Sequence, residues 1–94
     1  MQHFVMIARD RADSLALRMD IRPRHLDYLS SLGETLKLAG PFVEDGKPVG
    51  SMLVIASENS DEAARVLAAD PYAEAGLFAS VEISGWNPVI TNFG

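Results

Sequence analysis

The sequence predicts an α+β fold: a ferredoxin-like βαββαβ sandwich, with a four-stranded antiparallel sheet and helices on one face. Three observations lead there. Short apolar runs of strand character recur along the chain, separated by turn residues. Two stretches of helical spacing fall between the first and second runs and between the third and fourth. An Asp-Gly pair joins the middle two runs as a hairpin. The order strand, helix, strand, strand, helix, strand is the split βαβ pattern, and right-handed crossovers place both helices on the same side. At 94 residues, the whole span 1–94 is expected to form a single domain.

Phe4-Val5-Met6-Ile7-Ala8 is wholly apolar, and its length with Val and Ile makes it the first strand. Residues 10–20 are polar with scattered leucines, and Asp13 or Ser14 offers a cap for a short helix. The first long helix is expected over residues 22–32. Pro23 suits the first helical position, Leu26, Leu29 and Leu32 recur at helical spacing with Tyr28 beside them, and Gly33 closes the end. Thr35-Leu36-Lys37-Leu38-Ala39 alternates as a strand, and Gly40-Pro41 should end it. Residues 44–47 form the hairpin turn and residues 50–56 the return strand. Asn59 or Ser60 caps the second helix, with Asp61 and Glu62 in its first turn and Ala63, Val66 and Leu67 as its buried stripe. Pro71 stops it, and residues 73–76 are a turn or a helical fragment. The last strand is residues 77–83, with Leu77, Ala79, Val81 and Ile83 on one face, followed by an apolar tail from Trp86 to Ile90.

The central strands, residues 4–8 and 52–56, are apolar on both faces, whereas two helices cover only one. An uncovered apolar sheet is not tolerated by a soluble monomer, so a homodimer packed sheet to sheet, or a higher homo-oligomer, is expected. The tail around Trp86 is placed to help close that joint.

Composition narrows the function classes. Hydrophobic residues make up 48% and charged residues 22%, as in ordinary globular proteins. Net charge is −5 and the eight Lys and Arg are scattered, which argues against nucleic acid. No apolar run approaches the roughly 20 residues that span a membrane, so no membrane partner is expected. The start, Met1-Gln2-His3-Phe4, lacks the pattern of a signal peptide, and there is no cysteine; both fit a cytoplasmic protein. There is no metal cluster, phosphate loop or dinucleotide fingerprint, so no cofactor is expected.

His25 is the candidate for chemistry. In the first turn of its helix it borders the apolar stripe, and a helix-edge histidine bonded to a carbonyl is the ordinary account. Placed between a helix N-terminus and a carboxylate, an imidazole suits acid–base work. Asp70 follows the second helix, the wrong end for a carboxylate on dipole grounds. Either it opens an Asp-Pro turn, or a cationic partner holds it there. His3 reads as structural, and Asp10, Asp20 and Asp27 as solvated. Arg22 and Arg24 are surface arginines or contacts for an anionic substrate. Ser51 lacks the setting of a nucleophile elbow.

The chain resembles the YciI-like proteins of the dimeric α+β barrel superfamily. The resemblance is carried, in order, by Arg22-Pro23-Arg24-His25-Leu26-Asp27-Tyr28-Leu29, by Leu38-Ala39-Gly40-Pro41, and by Asp45-Gly46 with Gly50-Ser51. Asp70-Pro71-Tyr72 with Ala75-Gly76 and Glu82-Ile83 before Trp86 complete it. It implies a ferredoxin-like fold dimerising through its sheets and an active site with a histidine and an aspartate, here His25 and Asp70. A relative in chloroaromatic breakdown acts as a dehydrochlorinase, and more distant barrels include muconolactone isomerase and cofactor-free monooxygenases. The resemblance therefore implies a small cofactor-independent enzyme using His/Asp acid–base chemistry on a small organic metabolite. Arg22, Ser51 and Tyr72 are its expected substrate contacts. The alternative is a non-catalytic dimeric module that binds a metabolite or serves as an accessory subunit.

Overall fold

The computed structural model describes residues 1–93. The elements are β1 (Gln2–Asp10), α1 (Leu15–Ser31), β2 (Leu36–Glu44), β3 (Lys47–Ser57), α2 (Ser60–Ala68), α3 (Pro71–Glu74) and β4 (Phe78–Trp86), with a 3₁₀ turn at Gly33–Thr35. The sheet order is β2-β3-β1-β4, and every neighbouring pair is antiparallel. This is the ferredoxin-like arrangement the element order predicts.

Side chains alternate across the sheet, so the register sorts its two faces. Phe4, Met6 and Ala8 lie opposite Ile55, Leu53 and Ser51. Together with Leu29 of α1 and with Ala63 and Leu67 of α2, the apolar members of this set make the main core under the helices. Val5 and Ile7, half-buried, point the other way, beside Val54 and Met52. The centre of that second face is apolar, as the uninterrupted runs predicted, while β4 adds Ser80, Glu82 and Ser84 along its edge. The tail after β4 lies against it and shares with His3, Leu38, Met52, Val54 and Trp86 a cavity of about 660 Å³. Val89, Ile90 and Phe93 on the tail stay largely exposed.

The hairpin between β2 and β3 turns on Asp45 and Gly46, both at positive φ (50° and 75°), the geometry of a type I′ turn. Asn59 is the cap of α2, its side chain accepting the Glu62 N–H at 2.8 Å.

The structure corrects four expectations. First, α1 begins at Leu15, with Ser14 at the N-cap position but making no side-chain cap bond, and runs for 17 residues, so Pro23 lies inside it. His25 is therefore not in a first turn but in the second half of a continuous helix, remote from its N-terminus. Pro23 removes the N–H that would bond the Met19 carbonyl, a defect that an exposed helix flank tolerates because water replaces the partner. The buried stripe is Arg18, Ile21, His25 and Leu29, whereas Leu26 is 43% exposed.

Second, Gly40-Pro41 does not end β2, which continues to Glu44. Because β2 is an edge strand, the missing proline donor can face away from the ladder. Third, β4 starts after Leu77 and includes Trp86. Val81 and Ile83 share the helix-side face with Ala8 and Met6 but remain exposed, whereas Phe78 at the start of β4 packs against Tyr72 of α3. Fourth, Asp70 does not hang off the end of α2. It is the N-cap of the one-turn helix α3, accepting the Tyr72 N–H at 2.9 Å, with Pro71 at the first helical position.

Candidate active site

The site is assembled on the inward stripe of α1. Residues 18, 21, 25 and 29 fall on one side of a 3.6-residue helix, and here that side carries two polar groups. Ile21 packs with Tyr72 and Leu77. Tyr72 is presented by α3, which Asp70 anchors by capping. The Tyr72 ring lies between Arg18 and His25. The imidazole stacks on it at 3.9 Å between centroids and 19° between planes, and the Arg18 Cζ lies 4.5 Å from the ring centroid. The close stack fills one face of the phenol, which leaves the other to the guanidinium.

Each of these two side chains is held from behind by a carboxylate. His25 Nδ1 is 2.9 Å from both Asp70 oxygens, and Asp70 is fully buried, at 0% exposure. An ionised carboxylate only accepts, so Nδ1 carries the proton and the neutral imidazole is left with its lone pair on Nε2. Arg18 donates from Nε to Asp10 Oδ2 at 2.7 Å and from Nη2 to Asp10 Oδ1 at 3.1 Å. Its Nη2 also donates to Ser51 Oγ at 2.7 Å. Tyr28, further along α1, donates its hydroxyl to the Val66 carbonyl at 2.6 Å and ties α1 to α2.

Burial pushes the Tyr72 phenol above its ordinary value. Arg18 and Arg22 pull against that rise and Asp70 adds to it. Tyr28 is raised in the same direction by burial, with Asp70 and then Glu74 contributing. The ring between Arg18 and His25 is therefore a neutral phenol at physiological pH.

These side chains open into a cleft of about 490 Å³ between α1 and the β2–β3 hairpin. Its polar wall is Arg18, Arg22, His25, Ser51 and Tyr72, and its apolar wall includes Leu26, Leu29, Pro41, Val43, Pro48 and Leu53. The cavity on the opposite sheet face is larger but has no such grouping of acid, base and anchored donors. Among the described residues, no three of His, Cys, Asp and Glu gather closely enough to hold a metal ion. No helix among them is long and apolar enough to cross a membrane.

Of the residues singled out from sequence, His25 and Asp70 are in direct contact, and Arg22, Ser51 and Tyr72 line the same cleft. Arg24 lies on the exposed flank of α1. Asp10, expected in solvent, is instead the partner of Arg18, with side-chain exposures of 7% and 4%. Arg18 was missed altogether. Its one sequence signal is a position seven residues before His25, and this acquires meaning only once the helix is known to extend that far back.

A family model described as the YCII-related domain matches residues 2–87. The chain belongs to this family. It is 40% identical over 96 residues to Protein YciI of Escherichia coli, covering 92% of this chain and 97% of that protein. It is 32% identical to an uncharacterized Haemophilus influenzae protein, covering 93% and 98% of the two chains. Among solved structures it is similar to a 5-chloro-2-hydroxyhydroquinone dehydrochlorinase from Burkholderia phenoliruptrix, determined in complex with 2,5-dihydroxybenzoquinone. That match has a TM-score of 0.83 and 32% identity over 90% of this chain and 93% of the other. An antibiotic biosynthesis monooxygenase, 7% identical with a TM-score of 0.57 over 96% of this chain and 100% of that one, shares the fold alone. Proteins of the YCII-related fold thus include at least one enzyme.

Proposed function

We propose that this member of the YCII-related family is a small acid–base enzyme, working without a cofactor, that moves a proton on a small organic metabolite. His25 is its proton carrier and Asp70 the residue that orients it. The observation that carries this reading is the placement of Nδ1 at 2.9 Å from both oxygens of a fully buried carboxylate. That contact commits one ring nitrogen and leaves Nε2 to the cleft. Asp70 is itself fixed by the Tyr72 N–H, and the Tyr72 ring holds the imidazole plane. An oriented base with its lone pair toward an apolar cleft is what proton abstraction requires.

Lyase-, isomerase- and dehydrochlorinase-type reactions share that demand. Nε2 takes a proton from carbon or oxygen of the substrate, and Asp70 stabilises the imidazolium that forms. The proton then returns at a second atom, or departs as a leaving group is expelled. Arg22 and Ser51 contact the substrate, and Tyr72 forms the floor beside the base. The dehydrochlorination carried out by the Burkholderia relative belongs to this reaction class. The second sheet face, apolar and only partly overlain by the tail, is the proposed contact between two copies in a homodimer. A cytoplasmic setting completes the reading, supported by the absence of cysteine.

Deuterium exchange tests the proposal. Ring compounds with an acidic C–H, 2,5-dihydroxybenzoquinone among them, are incubated with the protein in D2O and followed by proton NMR. The expected result is catalysed loss of the C–H signal, falling by about 10²–10⁴-fold in His25→Ala. Equal exchange with wild type and His25→Ala defeats the reading. Binding with no exchange by wild type favours the non-catalytic module instead.

A further inference from the structure

Asp70 can orient His25 only from where the chain sets it down, and that place is decided by how α2 ends. In a helix that continued, the Asp70 N–H would bond the Val66 carbonyl, four residues back. Here it turns instead to the Leu67 carbonyl, at a long 3.4 Å, and the chain leaves the helix with Asp70 at φ −59° and ψ 131°. The break frees Asp70 to cap α3 and to face His25. It also leaves the Val66 carbonyl without its helical donor, one of the orphaned groups that every helix end must satisfy. The Tyr28 hydroxyl takes that place, donating to the Val66 oxygen at 2.6 Å.

We propose that Tyr28 is a positioning residue of the site: by capping the carbonyl that the turn at Asp70 orphans, it fixes the α2–α3 junction against α1 and so sets the Asp70 carboxylate behind His25. Three observations carry this. His25 and Tyr28 stand three residues apart on α1, where side chains are neighbours on one flank, and they grip two points four residues apart in the junction, Asp70 and Val66. One contact alone would let the junction swing about it; two fix its roll and its height along α1. Next, among the described residues the Tyr28–Val66 bond is the one hydrogen bond between α1 and α2, so no other polar contact duplicates it. Last, Tyr28 does not line the cleft, and its ring packs against the main core. It therefore acts through Asp70 and not on the substrate.

This inference rests on the reading of His25 as the proton carrier, and it adds what keeps the orienting carboxylate in register. Both Asp70 oxygens lie 2.9 Å from a single nitrogen, a placement that a shifted junction would lose at once. A displacement of about 0.5 Å already takes a catalytic group out of productive geometry. Burial, then the charges of Asp70 and Glu74, hold the Tyr28 phenol above its ordinary value. The hydroxyl thus remains a donor throughout the pH range in which an imidazole exchanges protons.

Tyr28→Phe tests the proposal, because it keeps the ring in the core and removes only the hydroxyl; thermal melts establish that each variant is folded. Proton and nitrogen NMR read the His25 ring. In wild type the Nδ1–H should give a resolved, slowly exchanging signal, and in Tyr28→Phe its exchange with water should quicken by about tenfold or more. Catalysed C–H exchange of 2,5-dihydroxybenzoquinone should fall about tenfold in kcat with KM unchanged. Asn59→Ala is the matched control: it uncaps the far end of α2, lowers the melting temperature in its own right, and should leave both readouts as in wild type. In wild type itself the Tyr28 hydroxyl proton should exchange slowly enough to be seen, a measurement that needs no variant. Quickened Nδ1–H exchange in Tyr28→Phe alone supports the inference even where wild type exchanges no C–H, an outcome that counts against the base and not against Tyr28. Unchanged Nδ1–H exchange in Tyr28→Phe, an equal quickening in Asn59→Ala, a rise in KM at constant kcat, or a Tyr28 hydroxyl proton in rapid exchange with water would each overturn it.

Discussion

The two side chains that flank Tyr72, Arg18 and His25, are built alike and differ in one property. Each extends from the inner stripe of α1, each is held from behind by a carboxylate, and each touches one face of the same phenol. A guanidinium keeps its proton throughout the working range of an enzyme, whereas an imidazole gives one up and takes it back. One arm is a fixed charge and the other a movable one. The anchors differ to match. Asp10 grips Arg18 with two oxygens on two nitrogens, leaving no freedom of roll, whereas Asp70 places both oxygens on a single His25 nitrogen and leaves the other free. Similar scaffolding thus holds one side chain of fixed charge and one whose ring type can exchange a proton.

Breaking the fixed arm should have the largest effect on stability. Arg18→Met strands the Asp10 carboxylate in a nearly dry place and should cost about 3–5 kcal/mol, measured by urea unfolding. The double variant Asp10→Leu with Arg18→Met should regain most of that loss, because no charge is then left unpaired. If the single variant unfolds at the same urea concentration as wild type, the pair is not an anchor. Breaking the movable arm should cost less. Asp70→Ala removes a cap and strands the His25 Nδ1–H, for about 2–3 kcal/mol and a melting temperature lower by more than about 10 °C.

A finer comparison comes from nitrogen NMR. The His25 ring should be the Nδ1–H tautomer in wild type, and Asp70→Ala should move it toward Nε2–H; an unchanged pattern would mean that Asp70 does not set the tautomer. The smallest effect is on the two tyrosines. Both pKa values are raised, so the stability their neutral forms lend is fully present below the unfolded-state value near pH 10 and is lost as pH climbs through the folded values. Ultraviolet titration should show tyrosinate only above that ordinary range. Arg18→Met, by removing a charge that lowers Tyr72, should delay it further. A tyrosine ionising below pH 10 would contradict the buried placement of these rings.

The sheet was legible in the sequence because its signals are local. Asp45-Gly46 can hardly be anything but a tight turn, Asn59 stands three residues before Glu62, and unbroken Val, Ile and Met runs mark strands covered on both faces. The first helix was not, for a physical reason. Its buried stripe is half polar, Arg18 and His25 alternating with Ile21 and Leu29, so the apolar period that marks a helix is absent over the residues that matter most. Pro23 then mimics a helix start. The meeting of His25 with Asp70 spans 45 residues, and no spacing rule reports it; only the resemblance to known proteins linked the two. Asp10 with Arg18 is closer in sequence but bridges the turn at Asp13, whose φ of 56° no pattern foretells.

The strand order has a consequence for how the molecule comes into being. β1 is the first of the four strands in the chain yet lies inside the sheet, hydrogen-bonded on one side to β3 and on the other to β4, the last of the four. One edge of β1 must therefore wait unpaired until β4 has been made, and pairings so distant in sequence form slowly. The same delay governs the cleft, since Asp10 ends the first strand and Asp70 precedes the last. A chain that ends before Asp70 lacks the carboxylate behind His25, so the two anchored side chains are both in place only once the chain extends past α2.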